Sequence, residues 1–417
     1  MAGFPAFRSR NFRLFFAGQS ISLVGAWMQR VAMSWLAYRL TDSEFLLGVV
    51  GFSGQIPIFV FTSVAGVFAD RWNRRRALLY TQALAMVQAA ALAWLYYAGT
   101  LEVWHLIALS LVLGLVNAFD MPLRQSFMLE MVGDKDALGS AIALNSSMFN
   151  AARMIGPAVA GLLIGFLGEG VCFVVNAVTY VTVLAALAAM RVAPVPREGE
   201  PQRVLHELAE GARYAWRHPS IRAILLLVPL VSVVGLPYTV LLPVFARDVL
   251  GGGADTLGYL MTGVGLGALV GALLLASRQT VAGLERWVVF STLLFSVGLF
   301  VFALSSWLAV SIVFLTAVGF GLTTLFAAGN TALQTLVQDD LRGRVLGLYL
   351  TSVIGLFPFG SLLAGAVAEK IGAPDTIAAC AVITFLGGVF FSGKLATLRN
   401  DLRSAAGNES SDFSRAP

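Results

Sequence analysis

The sequence predicts an all-α integral membrane protein, with twelve transmembrane helices in two pseudo-symmetric six-helix bundles. Three observations predict it. Of 417 residues 58% are hydrophobic and 12% charged, with mean hydropathy +0.81, whereas soluble domains carry about 25% charged residues. The apolar blocks are long enough to cross a bilayer as helices, at about 20 residues per span; a transmembrane β-barrel would alternate in segments of about 10. The basic residues, finally, gather on one side of those blocks.

Taken in order, apolar segments fall at 12–39, 46–70, 77–98, 103–131, 138–167 and 171–190, and again at 221–246, 254–277, 287–305, 307–335, 345–368 and 375–393. The opening residues MAGFPAFRSRNFRLFF are basic and then apolar like a signal peptide. The apolar part runs too long and lacks a small-x-small cleavage site, so it reads as a retained first helix. With the N-terminus in the cytoplasm, 22 of the 28 Lys and Arg fall in inner segments and only Arg39, Arg247 and Lys370 in outer ones. That is a strong positive-inside bias, and it sets both termini on the cytoplasmic side. The polar stretch 191–220 divides the chain into a first bundle over 1–190 and a second over 221–395, leaving a cytoplasmic tail over 396–417 that is expected to be irregular. Within the linker, Val204, Leu208, Ala212 and Trp216 recur every four residues, the pattern of an amphipathic helix on a membrane surface. Shifting the chain by 210 brings Leu40, Leu47 and Gly48 onto Leu250, Leu257 and Gly258, and Cys172 and Cys380 differ by 208. Similar offsets at both ends of the halves indicate a duplicated unit.

Composition also excludes several functions. Cys172 and Cys380 lie in apolar blocks, and His105, His206 and His218 have no ligand spacing, so neither a disulfide framework nor a metal site is expected. No Gly-rich phosphate loop, HExxH or GxSxG pattern occurs, which removes support for ATP-driven transport and hydrolysis. No cofactor or nucleic acid is expected as a partner, and the chain is expected to act as a monomer.

One motif closes the second helix: Gly66-Val-Phe-Ala-Asp70-Arg71-Trp-Asn-Arg74-Arg75. Gly66, four residues before Asp70, shares its helical face and would let a neighbouring helix approach closely. The spacing resembles the G-x-x-x-D-R-x-G-R-R signature of the major facilitator superfamily, with Asn73 in place of the second glycine. The second half has only Ala276 and Thr280 at the matching places. The fifth helix carries Asn150, Arg153, Gly156, Pro157 and Gly161, similar to the Gly-Pro motif of antiporters in that superfamily, which bends the helix at the interface between halves. Pro157 frees the Arg153 carbonyl, and glycines at 156, 161 and 165 would give close packing. Together with Gly25-x-Trp27-Met28-Gln29-Arg30, Asp120-x-Pro122-x-Arg124-Gln125 and Leu341-Arg-Gly-Arg344-Val345, the chain resembles the enterobactin-exporter-like branch, over residues 8–395. That resemblance implies a bacterial inner membrane and efflux of siderophore-like or drug-like molecules; a lysophospholipid-type translocase of the same fold is the alternative.

Intramembrane charges cost at least about 2.5–3.5 kcal/mol each at a helix centre unless paired or hydrated. Gln19, Ser22 and Arg30 share one face of the first helix, and Asp120 and Arg124, with Asn117 beside them, one face of the fourth. Ser146, Asn150 and Arg153 form a third stripe. The second half offers no comparable charge but supplies Tyr238, Thr239, Thr323, Asn330, Gln334, Tyr349 and Ser352. By the resemblance, Gln19, Arg30, Asn117, Asp120, Arg124, Tyr238, Asn330 and Gln334 would line a substrate cavity. Asp120 and Arg124 would couple a small-molecule substrate to protons, because a substrate that draws Arg124 away leaves a buried carboxylate that a proton can neutralise. The alternative is that the two simply neutralise each other as a structural pair. Gly66, Asp70, Arg71, Arg74, Arg75, Glu130, Arg153, Gly156, Pro157 and Arg344 would form gates: Glu130 is expected to pair with Arg74, and Asp70 to meet the eleventh helix near Arg344. Surplus arginine points to an acidic or zwitterionic amphipath as cargo.

Overall fold

In the computed structural model the described residues are 4–134, 136–192, 204–278, 280 and 282–413, and they form helices joined by short connections, with no strand among them. Side-chain surroundings are not described at 63, 64, 67, 69–71, 204–209, 339, 340 and 405–413. The first six helices are α1 (Arg10–Thr41), α2 (Glu44–Arg71), α3 (Arg74–Tyr97), α4 (Val103–Val132), α5 (Leu138–Leu167) and α6 (Glu169–Ala189). Their ends follow from local chemistry. The side chains of Ser9, Ser43 and Asn73 accept from the backbone N–H groups of Phe12, Leu46 and Arg76, capping α1, α2 and α3. The linker helix α7 (Val204–Arg217) leads into α8 (Pro219–Leu230), and a π turn at Val231–Gly235 separates α8 from α9 (Tyr238–Val244). Then come α10 (Ala254–Ala276), α11 (Leu284–Leu304), α12 (Leu308–Leu336) and α13 (Asp339–Leu350), a π turn at Thr351–Gly355, α14 (Phe357–Ile371), α15 (Ala373–Ser392) and α16 (Leu395–Phe413).

Among the described residues eleven helical stretches are long and apolar enough to cross a membrane, with α8 and α9 counting as one and α13 and α14 as another. The 32-residue α1 is long enough, but Gln19, Ser20, Ser22, Gln29, Arg30 and Ser34 dilute its apolar content. With it the segments number twelve, each overlapping a stretch expected from the sequence. The outward faces are apolar: Phe166 is 84% exposed and Phe390 76%, as suits a surface solvated by lipid tails. The duplication shows in the connections. Gly168 joins α5 to α6 and Gly372 joins α14 to α15, with φ of 80° and 86°, a conformation that favours glycine.

The chain forms two compact units, which differ from the division of the sequence at the linker. Unit 1 comprises Met1–Pro201 with Val240–Gly265, and unit 2 comprises Gln202–Thr239 with Leu266–Pro417. Backbone contact explains why part of the second half packs with the first. A Cβ on Gly161 would lie 3.0 Å from the Gly258 Cα, and one on Gly265 2.9 Å from the Arg153 carbonyl that Pro157 frees. In unit 1 the core gathers Phe12, Phe15, Leu123, Phe127, Val183 and Leu187.

Three expectations are corrected here. Gly66 is not at a close helix contact: among the described residues no heavy atom lies within 4 Å of a Cβ built there, and the same holds for Gly165. The close approach to α2 is instead made by Gly114, whose Cβ would lie 2.5 Å from the Gly54 carbonyl oxygen. The tail is helical over Leu395–Phe413 rather than irregular, because Leu398 and Leu402, one turn apart, are both buried.

Candidate functional site

The polar centre of unit 1 is Asp120. Its residue is 1% exposed, on α4 two residues before Pro122, which cannot donate to the Ala118 carbonyl. One carboxylate oxygen, Oδ1, accepts from Thr81 Oγ1 at 2.9 Å and Gln82 Nε2 at 2.7 Å, both on α3. The other, Oδ2, is ion-paired with Arg124 Nη2 one turn along α4. Asp120 is therefore fully engaged, as a buried carboxylate must be. Arg124, with 20% of its side chain exposed, is the one member of the network that reaches an accessible surface. Asn117 is half-buried nearby on α4, and Gln19 is buried on α1.

A second cluster is built on Trp27. The Arg30 guanidinium lies 4.3 Å from the Trp27 ring centroid and that of Arg153 6.0 Å, distances at which cation and ring attract. Phe149 meets the same ring edge-on at 5.8 Å. Arg30 is exposed, with no carboxylate at ion-pair distance among the described residues. Gly156 holds this cluster together: a Cβ there would lie 2.5 Å from the Trp27 Cβ, so α5 and α1 touch at that level. Chemically, two guanidinium groups beside one aromatic ring can take an anion attached to a flat or apolar body.

The basic residues of the α2–α3 connection hold helix ends. Arg74 Nη1 is 2.6 Å from Glu130 Oε1, joining the start of α3 to the end of α4. Arg75 donates to the Leu187 and Ala188 carbonyls at 2.7 and 2.6 Å, capping α6. The Asp70 and Arg71 side chains lie outside the described residues. Arg344, in unit 2, pairs at 2.7 Å with Glu210 of the linker helix. Also in unit 2, Tyr238 is buried against Phe295, Asn330 is half-buried and Gln334 is exposed.

Sequence reasoning missed several partners. Gln29, Gln88 and Asn176, each no more than 2% exposed, form a chain across α1, α3 and α6: Gln29 donates to Gln88 at 2.9 Å and Asn176 to Gln29 at 2.8 Å. Thr81 and Gln88 are seven residues apart and so share a face of α3, a signal that the sequence carried. Near the far ends of the helices, Glu169 is buried between Arg39 at 3.0 Å and Tyr96 at 2.9 Å, while Tyr38 bonds Asp248 and Arg247 pairs with Asp42.

The sequence of the chain matches the family model of transmembrane secretion effectors over residues 1–412. The chain belongs to that family. It is a transporter of the major facilitator superfamily and not an enzyme. The staphyloferrin A transporter of Staphylococcus aureus is 25% identical over 375 residues, covering 89% of this chain and 93% of its own. The multidrug efflux pump Tap of Mycobacterium tuberculosis is 28% identical over 379 residues, covering 88% and 87%. Among solved structures, a bacterial homologue of the human lysosomal transporter Spinster matches 96% of this chain and 99% of its own, with TM-score 0.69 and 13% identity. The D-xylose–proton symporter matches 91% and 96%, with TM-score 0.70 and 15% identity. At those identities the structures speak to the fold alone.

Proposed function

We propose that this secretion-effector family member is a proton-coupled exporter of acidic or zwitterionic amphipathic molecules, siderophore-like or drug-like, that works by alternating access in a bacterial inner membrane. One observation carries the reading. Asp120 is a buried carboxylate whose ion-pair partner among the described residues is Arg124, and Arg124 is also the member of that network with exposed side-chain surface. A bound anion that recruits Arg124 leaves Asp120 buried without its counter-charge, which protonation then relieves. Release of the anion returns Arg124 and expels the proton. Substrate binding and protonation thus promote one another at this pair, and that linkage couples the two movements. Arg30 and Arg153 around Trp27 supply further attraction for the anionic part of the cargo. The Arg74–Glu130 pair and the Asp70 motif serve as the inner gate, with both termini cytoplasmic. The multidrug efflux pump Tap, as a relative, supports export, and the staphyloferrin A transporter supports a small molecule as cargo.

The test is substrate-triggered pH change inside proteoliposomes loaded with a pH-sensitive dye, over a panel of siderophores, drugs and lysolipids. At least one siderophore or drug should trigger a pH change. Accumulation of cargo against its gradient with no pH response overturns the coupling, and a response confined to lysolipids makes the protein a lipid translocase.

A further inference from the structure

The linker helix α7 has two neighbouring small or apolar faces with different surroundings. Gly211 and Ala215 are buried and seat α7 on α13: a Cβ on Gly211 would lie 3.0 Å from the Arg344 Cβ, beside the Arg344–Glu210 pair. Ala212 and Trp216, one position further round, remain exposed, Trp216 at 63%. They form one wall of a groove of about 170 Å³, continued by Arg222, Leu225 and Leu226 on α8 and by Leu348 on α13. The groove is amphipathic along its length. At one end the Arg222 guanidinium lies 5.6 Å from the Trp216 ring centroid, and its Nη1 donates to the Trp216 carbonyl at 3.4 Å. Leu226, one turn along α8 or about 6 Å, is already in the apolar part.

Among the described residues the charge around the mouth that is not held in an ion pair is basic. Arg213 and Arg217 are exposed on α7, and the nearby Glu210 is engaged by Arg344. Asp401 takes the Ser220 hydroxyl hydrogen bond, and Ser220 lies on the opposite side of α8 from Arg222. Tryptophan beside arginine at the end of an apolar groove is the combination expected where a helix meets lipid headgroups. A soluble anion would not need the leucine wall, and a zwitterionic lipid would not need the basic mouth. We propose that this groove is a binding site for an anionic phospholipid of the inner leaflet, its phosphate on Arg222 beside Trp216 and an acyl chain along Leu225, Leu226 and Leu348. The leaflet assignment rests on the orientation given under the proposed function; the ligand class does not.

The full chain is placed in phosphatidylcholine nanodiscs containing either phosphatidylglycerol or phosphatidylcholine brominated on its acyl chains. Quenching of Trp216 is read as the difference between wild type and Trp216→Phe. Brominated phosphatidylglycerol should be preferred about five-fold, the enrichment expected for one basic residue near the membrane surface. Arg222→Gln should bring the ratio to about one, and Arg222→Lys should keep most of it. A ratio of one in wild type, or an unchanged ratio in Arg222→Gln, overturns the site. Relief of quenching by an acidic siderophore or drug overturns it too, because the groove would then be a cargo entrance. If Arg222→Gln does not fold, Ala212→Leu narrows the groove without touching a charge and must lower quenching by brominated phosphatidylglycerol; no change overturns the proposal. None of these readouts uses transport, so failure of the lipid site and failure of proton coupling are seen separately.

Discussion

In unit 1, α3 is joined to α4 and α6 through a carboxylate, amides and an arginine; in unit 2, the polar side-chain contacts of α11 with α12 and α15 among the described residues are made by hydroxyls. Ser291 and Thr324 are 2.7 Å apart, and Ser296 donates to Thr384 at 3.1 Å. The positions correspond. Gln88 and Ser296 differ by 208 residues, as do Asn176 and Thr384, and that is also the offset between the two cysteines. Where unit 2 makes one direct hydroxyl contact, unit 1 makes an amide relay through Gln29. The difference lies in what each group can do alone. Thr384 and Thr324 also bond carbonyls one turn back in their own helices, at 2.9 and 2.7 Å, so losing a neighbour leaves them satisfied. A buried carboxylate or carboxamide has no such local refuge and depends on its partners. Unit 1 therefore holds contacts that switch between discrete partners at high cost, and unit 2 contacts that can slide cheaply. That asymmetry is what a coupled transporter needs if one half carries the proton and the other forms a passive wall.

The largest break in this comparison comes from Asp120→Asn. The amide keeps the shape and the Thr81 contact but strands Arg124, and breaking a buried pair costs about 3–5 kcal/mol, here toward the low end because Arg124 is partly exposed. Export driven by a pH gradient into inverted vesicles should fall to background, while substrate binding by the purified protein remains measurable. Normal pH-driven export would make Asp120 and Arg124 a structural pair. Next is Gly156→Leu, which drives a side chain into Trp27 and separates α5 from α1. Overpacking costs about 1–3 kcal/mol, and export should be lost even where the protein still inserts. Gly165→Leu points into open space among the described residues and should leave export unchanged. Equal effects of the two would mean that any bulk in α5 is disruptive.

How much of this was legible in the sequence depends on whether it follows from one helix or from two. Span lengths, the linker and the acid–arginine spacing at 120 and 124 are single-helix properties, and each can be read from periodicity and charge. Thr81 and Gln82 as partners of Asp120 depend on the register of α3 against α4, which no spacing within either helix fixes. The same gap explains Gly66 and Gly114: both are small residues in apolar helices, and only the packed structure says which faces a neighbour. The grouping of Val240–Gly265 with unit 1 was hidden for the same reason, since Gly161 and Gly258 are 97 residues apart in the chain. The tail helix was legible in principle, through Leu398 and Leu402, but a polar composition outweighed that short apolar repeat.

The smallest effects isolate the comparison most cleanly, through the corresponding residues Asn176 and Thr384. Asn176→Ala removes the donor to Gln29 and leaves a buried carboxamide oxygen unsatisfied, at a cost of about 1–3 kcal/mol. Thr384→Val removes a hydroxyl that accepts from Ser296, yet Ser296 keeps its own bond to the Thr292 carbonyl at 2.8 Å. Valine also has nearly the same shape, so the cost should be about 1 kcal/mol or less. Thermal unfolding of the two variants in one detergent should give a clearly lower midpoint for Asn176→Ala and a small shift for Thr384→Val. Two shifts of equal size would show that hydroxyl and amide contacts are equally replaceable. Unit 2 would then be as rigidly wired as unit 1, and the asymmetry assigned to proton coupling would have to rest on charge alone.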